Sequence, residues 1–83
     1  MTCENRRTRD GLRLSRIVRA VTEIPRITVR TGSRHPYVLN YPNQIPCPVA
    51  ESTDARRMIV PWLIRATGLD RQNVYQSLRR GRW

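Results

Sequence analysis

The chain has 83 residues, with sixteen basic and six acidic side chains and a net charge of +10 at pH 7. This length predicts one domain with a thin core, since so short a chain buries only about 60–65% of its unfolded surface. That argues against a deep, enclosed substrate cavity. No apolar run approaches the roughly 20 residues that cross a bilayer, and residues 1–7 lack the apolar stretch of a secretory signal. We therefore expect a cytoplasmic protein with no membrane partner.

All sixteen basic residues are arginine. Arginine pairs with phosphate in bidentate geometry and stacks on bases, so this set favours a nucleic-acid partner. Codon bias in a G+C-rich genome explains the absence of lysine, but it does not explain the large positive excess. An acidic protein partner is the alternative, because charge alone does not name the partner. The charge lies in residues 1–30 (+5) and 56–83 (+6), whereas residues 31–55 carry −1.

The two cysteines, Cys3 and Cys47, do not make a disulfide framework, and we interpret both as reduced thiols. Together with the single histidine, His35, they are too few and too far apart in sequence to hold a metal. We predict no metal site and no cofactor.

The first predicted helix begins after Asp10, which can cap a helix that starts at residues 11–12. Its apolar stripe has helical spacing and consists of Leu14, Ile17, Val18 and Val21. Arg13 and Arg16 fall on a second, basic stripe, to which we assign phosphate binding. Pro25 ends the helix.

Three segments alternate like β-strands, namely 26–31, 37–41 and 45–49. Prolines at 46 and 48 remove hydrogen-bond donors from one side of the third strand, which must therefore lie at a sheet edge.

Two more helices follow. Ser52 or Thr53 is expected to cap the second helix, Pro61 to kink or restart it, and Gly68 to end it. The inward side chains of this helix are expected to be Ala55, Met58, Ile59, Trp62, Leu63 and Ala66.

Asp70 is expected to cap the last helix, in which Val74 and Leu78 face inward and which Gly81 ends. The fold class is α+β, with the order α-β-β-β-α-α and a three-stranded antiparallel sheet packed against helices. We expect a basic flexible tail (residues 1–9), a single domain (10–81) and a short tail (82–83).

The densest polar cluster is the segment 31–37, which contains Gly32, Ser33 and His35. A neutral imidazole can take the proton of an RNA 2′-hydroxyl, whose oxygen then attacks the adjacent phosphate without a metal. Arg30 and Arg34 would bind that phosphate and stabilise its developing charge, and Tyr37 would orient the histidine or stack on a base. The alternative is an exposed loop histidine without a role.

The segments 29–37, 45–49 and 66–69 resemble the HicA toxin family. The resemblance covers about residues 12–70 and rests on short motifs. It implies a double-stranded-RNA-binding-like sheet flanked by helices, mRNA cleavage by a Gly-Ser-His hairpin, and an antitoxin that covers the histidine. Arg34 departs from the family pattern by separating Ser33 from His35, and a one-residue slip turns a side chain to the other face of a strand. The second histidine of many members is also missing, since residues 50–52 are Ala-Glu-Ser.

Residues 63–78 also fit a helix-turn-helix with Gly68 in the turn, although Ile64 is bulkier than the usual alanine. Arginine, glutamine and asparagine make bidentate contacts with base edges. The residues predicted on the exposed face of the second of these helices are Arg71, Gln72, Asn73, Tyr75, Gln76 and Arg79. The alternative is a pair of packed helices with a solvated polar face.

These patterns favour an RNA-binding protein, with metal-independent endoribonuclease activity as an extension of that function. Two alternatives stay open. One is a helix-turn-helix DNA-binding transcriptional regulator, and the other is a non-catalytic module that binds an acidic, antitoxin-like protein.

Overall fold

A computed structural model describes residues 6–31 and 36–83. Its elements, in chain order, are α1 (Leu14–Val21), β1 (Thr28–Arg30), β2 (Tyr37–Asn40), β3 (Cys47–Val49), a π-helical turn (Ala55–Ile59), α2 (Val60–Thr67) and α3 (Arg71–Arg80). The predicted α+β class and element order are confirmed. No helix of the described residues is long and apolar enough to cross a membrane.

The sheet is antiparallel, with β2 between β1 and β3. Leu39 is the central register position, opposite Val29 on one side and Cys47 on the other. Pro48 of β3 stands opposite Val38 of β2. As predicted, β3 is an edge strand, which suits a proline because proline has no N–H to donate to a further strand.

The core is built from aliphatic side chains of all three helices and of the sheet. Leu14, Ile17 and Val21 of α1 are fully buried, as are Val74 and Leu78 of α3, which confirms these predicted inward positions. Val18, the fourth residue of the stripe predicted for α1, is half-buried. The indole N–H of the buried Trp62 donates to the Ile45 carbonyl oxygen at 2.6 Å, which ties α2 to the segment before β3.

The second helix departs from the regular rhythm that the sequence predicted. Pro61 lies in the first turn of α2 and has no N–H to donate to the preceding turn. The chain forms a π turn over Ala55–Ile59 and continues from it directly into α2. Met58 lies within the π turn and its side chain is 47% exposed, so its predicted inward position is wrong. Ala55, Ile59 and Leu63 are fully buried as predicted.

The predicted N-terminal caps of the first two helices are wrong. The residue before α1 is Arg13, whose side chain makes no capping bond, and Asp10 caps the π turn instead. The π turn is also preceded by Asp54, which accepts from the Arg57 N–H at 3.0 Å, rather than by Ser52 or Thr53. The Thr53 hydroxyl instead bonds to the backbone of residues 48–50. Tertiary contacts determine which of several competent side chains reaches each helix end.

Both glycines that were predicted to end helices are confirmed in that position. Gly68 follows α2 at φ 76° and Gly81 follows α3 at φ 77°, in the left-handed region that glycine enters without strain. Asp70 precedes α3 as predicted, but its carboxylate accepts no hydrogen bond from the first turn of the helix.

The segment before α1 packs against the domain. Thr8, within the predicted tail, is only 4% exposed, and the Arg9 N–H donates to the Thr53 carbonyl oxygen at 2.9 Å. At the other end, the Trp83 N–H donates to the Glu23 carboxylate at 3.2 Å.

Candidate nucleic-acid interface

The amphipathic pattern of α3 determines which of its side chains reach solvent. Val74, Ser77 and Leu78 are buried on one side of the helix. Gln72, Gln76 and Arg79 follow helical spacing on another side, so they lie along one face. This face borders an open groove of about 670 Å³ between α3 and the π turn. The groove is lined by Arg56, Asp70, Arg71, Gln72, Tyr75, Gln76 and Arg79.

An arginine–tyrosine stack forms part of the groove wall. The Arg56 guanidinium carbon lies 4.4 Å from the centroid of the Tyr75 ring, within the range of a cation–π contact. Arg56 is exposed, whereas Tyr75 is half-buried and packs against the core. The stack therefore presents a planar cation that is supported from below by an aromatic ring.

Asp10 positions the backbone that carries Arg56. Its carboxylate oxygens accept from the Ala55 N–H at 2.9 Å, from the Arg56 N–H at 3.0 Å and from the Thr8 hydroxyl at 2.7 Å. Burial raises the pKa of the Asp10 carboxyl, but these hydrogen bonds together outweigh it, and the pKa lies below its ordinary value. Asp10 thus anchors the start of the π turn, 45 residues along the chain, as an anion.

A second, smaller groove adjoins the first. Its volume is about 200 Å³, and it is lined by Arg7, Gly11, Leu12, Arg13, Arg16 and Arg79. Arg79 borders both grooves, and its carbonyl oxygen accepts from Arg16 Nη1 at 3.4 Å. The helices approach closely here, since a Cβ on Gly81 would lie 3.1 Å from the Arg16 Cγ. We call the combined surface the arginine face, which comprises Arg7, Arg13, Arg16, Arg56, Arg71 and Arg79.

Little negative charge offsets the arginine face. Within the described parts of the chain, its arginines form no ion pair with a carboxylate. Asp70 is the one acidic residue among the described side chains that line the two grooves. Arg7 and Arg16 each donate one guanidinium N–H to a backbone carbonyl oxygen, which leaves further N–H groups for an external anion. Phosphate is the anion that these planar donors match best.

The structure brings together two sets of residues that the sequence assigned to different functions. Arg13 and Arg16, assigned to phosphate binding, share the arginine face with α3, which was assigned to reading bases. Asn73 is exposed as predicted but lies outside both grooves, whereas Tyr75 and Gln76 are half-buried.

The hairpin residues lie elsewhere or outside the described part of the chain. Arg30 is exposed at the end of β1, and Tyr37 is half-buried at the start of β2 against the core. Neither lines the two grooves. The other members of the predicted hairpin site, Gly32, Ser33, Arg34 and His35, lie outside the described residues.

Two residues of the arginine face escaped sequence reasoning. Arg7 was assigned to the tail of residues 1–9. Arg56 is followed by Arg57, and the sequence did not indicate on which side of the helix the Arg56 side chain would lie. The nearest sequence signal for Arg56 was Pro61, because a proline inside a helical pattern predicts a distorted turn before it. That signal does not reveal that the distortion places Arg56 over Tyr75.

The thiol of Cys47 is buried, and burial raises its pKa to about 11 against the opposing effect of the Arg65 charge. It is therefore protonated near neutral pH and is a poor nucleophile. No group of three or more His, Cys, Asp or Glu residues that could hold a metal ion occurs in residues 6–31 and 36–83.

No protein-family model matches this chain, and no curated protein or solved structure matches it significantly. The resemblance to the HicA family therefore stays a prediction that depends on the motifs in the sequence.

Proposed function

We propose that this protein binds RNA through the arginine face. The observation that carries the proposal is the convergence of six arginines, from the segment before α1, from α1, from the π turn and from α3, on two grooves that share Arg79. These cations would contact successive phosphates of one strand and release the counterions condensed on it. The net charge of +10 would also accelerate association with a polyanion.

The Arg56–Tyr75 stack favours RNA with unpaired bases over a regular duplex. Sequence-dependent recognition of RNA uses splayed bases that stack on aromatic rings or guanidinium planes. A duplex keeps its bases stacked on each other and offers none to such a platform. The resemblance to a family that acts on mRNA supports the same substrate class.

The test uses a double variant, Arg16→Gln with Arg79→Gln, and a matched control, Arg19→Gln with Arg80→Gln. Both pairs remove two exposed charges from α1 and α3, but only the first pair lies on the arginine face. Affinity for a labelled single-stranded RNA is measured by fluorescence anisotropy over a salt series. Each lost phosphate contact should lower the salt slope by about one unit, so the first pair should lose about two units.

The control pair should keep its slope within about half a unit, because it removes charge without removing a contact. Equal losses in both pairs would mean that binding depends on net charge rather than on the arginine face. An affinity of the wild-type protein that does not depend on salt would contradict the proposal outright.

Cleavage of the bound strand is an extension of this proposal, with His35 as the base and Arg30 and Arg34 stabilising the phosphorane charge. His35 would take the 2′-hydroxyl proton, and the 2′-oxygen would attack the adjacent phosphate as the bond from phosphorus to the 5′-oxygen breaks. The 5′-oxygen would take a proton from the protonated imidazole or from water, and the products would be a 2′,3′-cyclic phosphate and a 5′-hydroxyl. Purified protein and a His35→Ala variant are incubated with labelled RNA in EDTA. Cleavage that the variant loses while it keeps its RNA affinity supports the extension, and intact RNA in both reactions rejects it.

A second candidate function is sequence-specific DNA binding, which the connection between α2 and α3 favours. The turn comprises residues 68–70, begins with Gly68 in the left-handed region and leads into the polar face of α3, as in a helix-turn-helix. Gln72→Ala and Gln76→Ala should then relax preference among duplex DNA sites, whereas Asn73→Ala, outside the groove, should not. Equal binding of all duplexes by the wild-type protein would exclude this function.

Salt-sensitive binding of an acidic polypeptide alone, with neither RNA nor DNA bound, would instead indicate an interaction module.

A further inference from the structure

We propose that the groove between α3 and the π turn binds one unpaired guanine of the RNA strand, stacked on Arg56 and read at its edge by Asp70. The inference rests on the proposed function, because the arginine face holds the strand that carries this base. It adds a base-specific site to a surface whose other contacts are to phosphate.

The stacking platform is the Arg56–Tyr75 pair. The Tyr75 ring covers one side of the guanidinium at 4.4 Å, and Arg56 is exposed and lines the groove, so the proposed base stacks on the side of the plane away from the ring. The aromatic ring and the Asp10 bonds to the π-turn backbone hold this plane in place before any ligand arrives. A preformed plane loses little entropy on binding, and nucleobases stack on arginine planes.

Asp70 supplies the discrimination. It holds the position before α3 where an aspartate ordinarily caps, yet its carboxylate accepts no bond from the first turn and lines the groove. A carboxylate on this face repels phosphate, so it contributes to binding only through a ligand that carries hydrogen-bond donors. Its acceptor oxygens distinguish among the edges of the four bases.

Guanine fits this acceptor best. Its N1–H and N2 amino group are adjacent donors that match the two oxygens of one carboxylate. Adenine and cytosine place an acceptor nitrogen beside their single amino group, and uracil flanks its N3–H with carbonyl oxygens. The guanine O6 can accept from the side-chain amide of Gln72 or Gln76, which line the same groove. The groove volume of about 670 Å³ lies within the range of small-ligand sites, roughly 300–1,000 Å³.

The experiment compares uridine-rich RNA strands of equal length and charge that differ at one central position, which carries guanine, hypoxanthine or no base. Affinities are measured at one salt concentration. The wild-type protein should bind the guanine strand about 25- to 50-fold more tightly than the abasic strand, because stacking of the base contributes about five- to tenfold and the N2 bond to Asp70 about fivefold more. Hypoxanthine lacks the N2 amino group, and its strand should bind about fivefold more weakly than the guanine strand.

Three variants separate the contributions. Arg56→Lys keeps the charge but loses the planar cation, so the guanine-over-abasic ratio should fall to about one while affinity for the abasic strand stays within about twofold. Arg57→Lys, the adjacent exposed arginine outside the groove, is the matched control and should keep the ratio. Asp70→Asn retains the capping preference of its position, so the fold is preserved, and it should abolish the guanine-over-hypoxanthine ratio.

The outcomes distinguish failure of the guanine site from failure of the proposed RNA binding on which it rests. Salt-dependent binding that is equal for all three strands overturns the guanine site and leaves RNA binding by the arginine face intact. A guanine preference that survives Arg56→Lys or Asp70→Asn also overturns the site as assigned. Failure to bind any strand at low salt overturns the proposed function itself.

Discussion

The arginine face and the three-stranded sheet are two regions of one small domain with different origins in the sequence. The sheet is built from strands that follow one another within residues 28–49, and it joins neighbours in the chain. The arginine face joins residues 7–16 to residues 56–79, which lie on opposite sides of the sheet segment in sequence. Packing of α1 against α3 turns two separate basic segments into one surface. Adjacent charge in space thus comes from helix packing, whereas the neutral middle of the chain supplies the scaffold.

Removing the contact between helices should have the largest effect on this arrangement. Leu78 is fully buried on α3, so Leu78→Ala should lower the free energy of unfolding by about 2–5 kcal/mol. Leu69, which is 45% exposed in the preceding turn, is the matched control, and Leu69→Ala should cost about 0.5 kcal/mol or less. Urea denaturation monitored by tryptophan fluorescence measures both. Similar losses in the two variants would show that α3 is not packed as described.

The two terminal glycines offer a finer comparison within the helical region. Both have positive φ, and an alanine there should cost about 1–2 kcal/mol. A Cβ on Gly68 meets nothing within 4 Å, whereas on Gly81 it would meet Arg16 at 3.1 Å. Gly81→Ala should therefore be the more destabilising of the two substitutions. It should also weaken RNA binding under conditions in which the variant is fully folded, because the new methyl group displaces Arg16. Thermal unfolding and anisotropy test this order, and equal effects would place the end of α3 away from α1.

The anchor between Asp10 and the π turn should make stability depend on pH. The pKa of the Asp10 carboxyl in the folded protein lies below the ordinary value of 3.8, so in acid the unfolded chain binds more protons than the folded protein does. The stabilisation is present above the ordinary pKa and is lost as the pH falls through the folded pKa. Asp10→Asn should cost about 1 kcal/mol at pH 7, the value of a typical cap, and progressively less toward pH 3.

Urea denaturation at both pH values checks the Asp10 prediction, with Glu51→Gln as a control that removes an exposed carboxylate. A constant difference between the wild-type protein and Asp10→Asn across this range would contradict it.

The smallest effect is expected on the sheet. Arg30→Gln removes an exposed charge from β1, outside both grooves of the arginine face. Affinity for a strand that cannot be cleaved, because its 2′-hydroxyls are methylated, should change by less than about twofold, as for a near-neutral contact. A larger loss, measured by anisotropy beside Arg79→Gln, would extend the binding surface onto the sheet and its hairpin.

Much of the fold was predictable because its signals are local. The spacing of Leu14, Ile17 and Val21 predicted the buried side of α1, and Gly68 and Gly81 marked the ends of α2 and α3. For the candidate site, helical spacing also predicted that Gln72 and Arg79 lie on one face of α3. Each of these inferences needs only the geometry of one element and its nearest neighbours in the chain.

Contacts between residues far apart in the chain could not be predicted from local signals. Asp10 is a competent cap for the helix that follows it, yet it caps a turn that begins 45 residues later, because the segment before α1 packs beside that turn. Arg56 of the π turn lies over Tyr75 of α3, a contact that depends on how these two elements are placed relative to each other. Arg16 meets Arg79 only because α1 packs on α3. The sequence by itself determined most of the elements and the apolar faces of α1 and α3, since these follow from local periodicity, whereas it did not predict the π turn or the outward position of Met58. The tertiary structure alone decided which polar and charged side chains meet, because that depends on how complete elements pack.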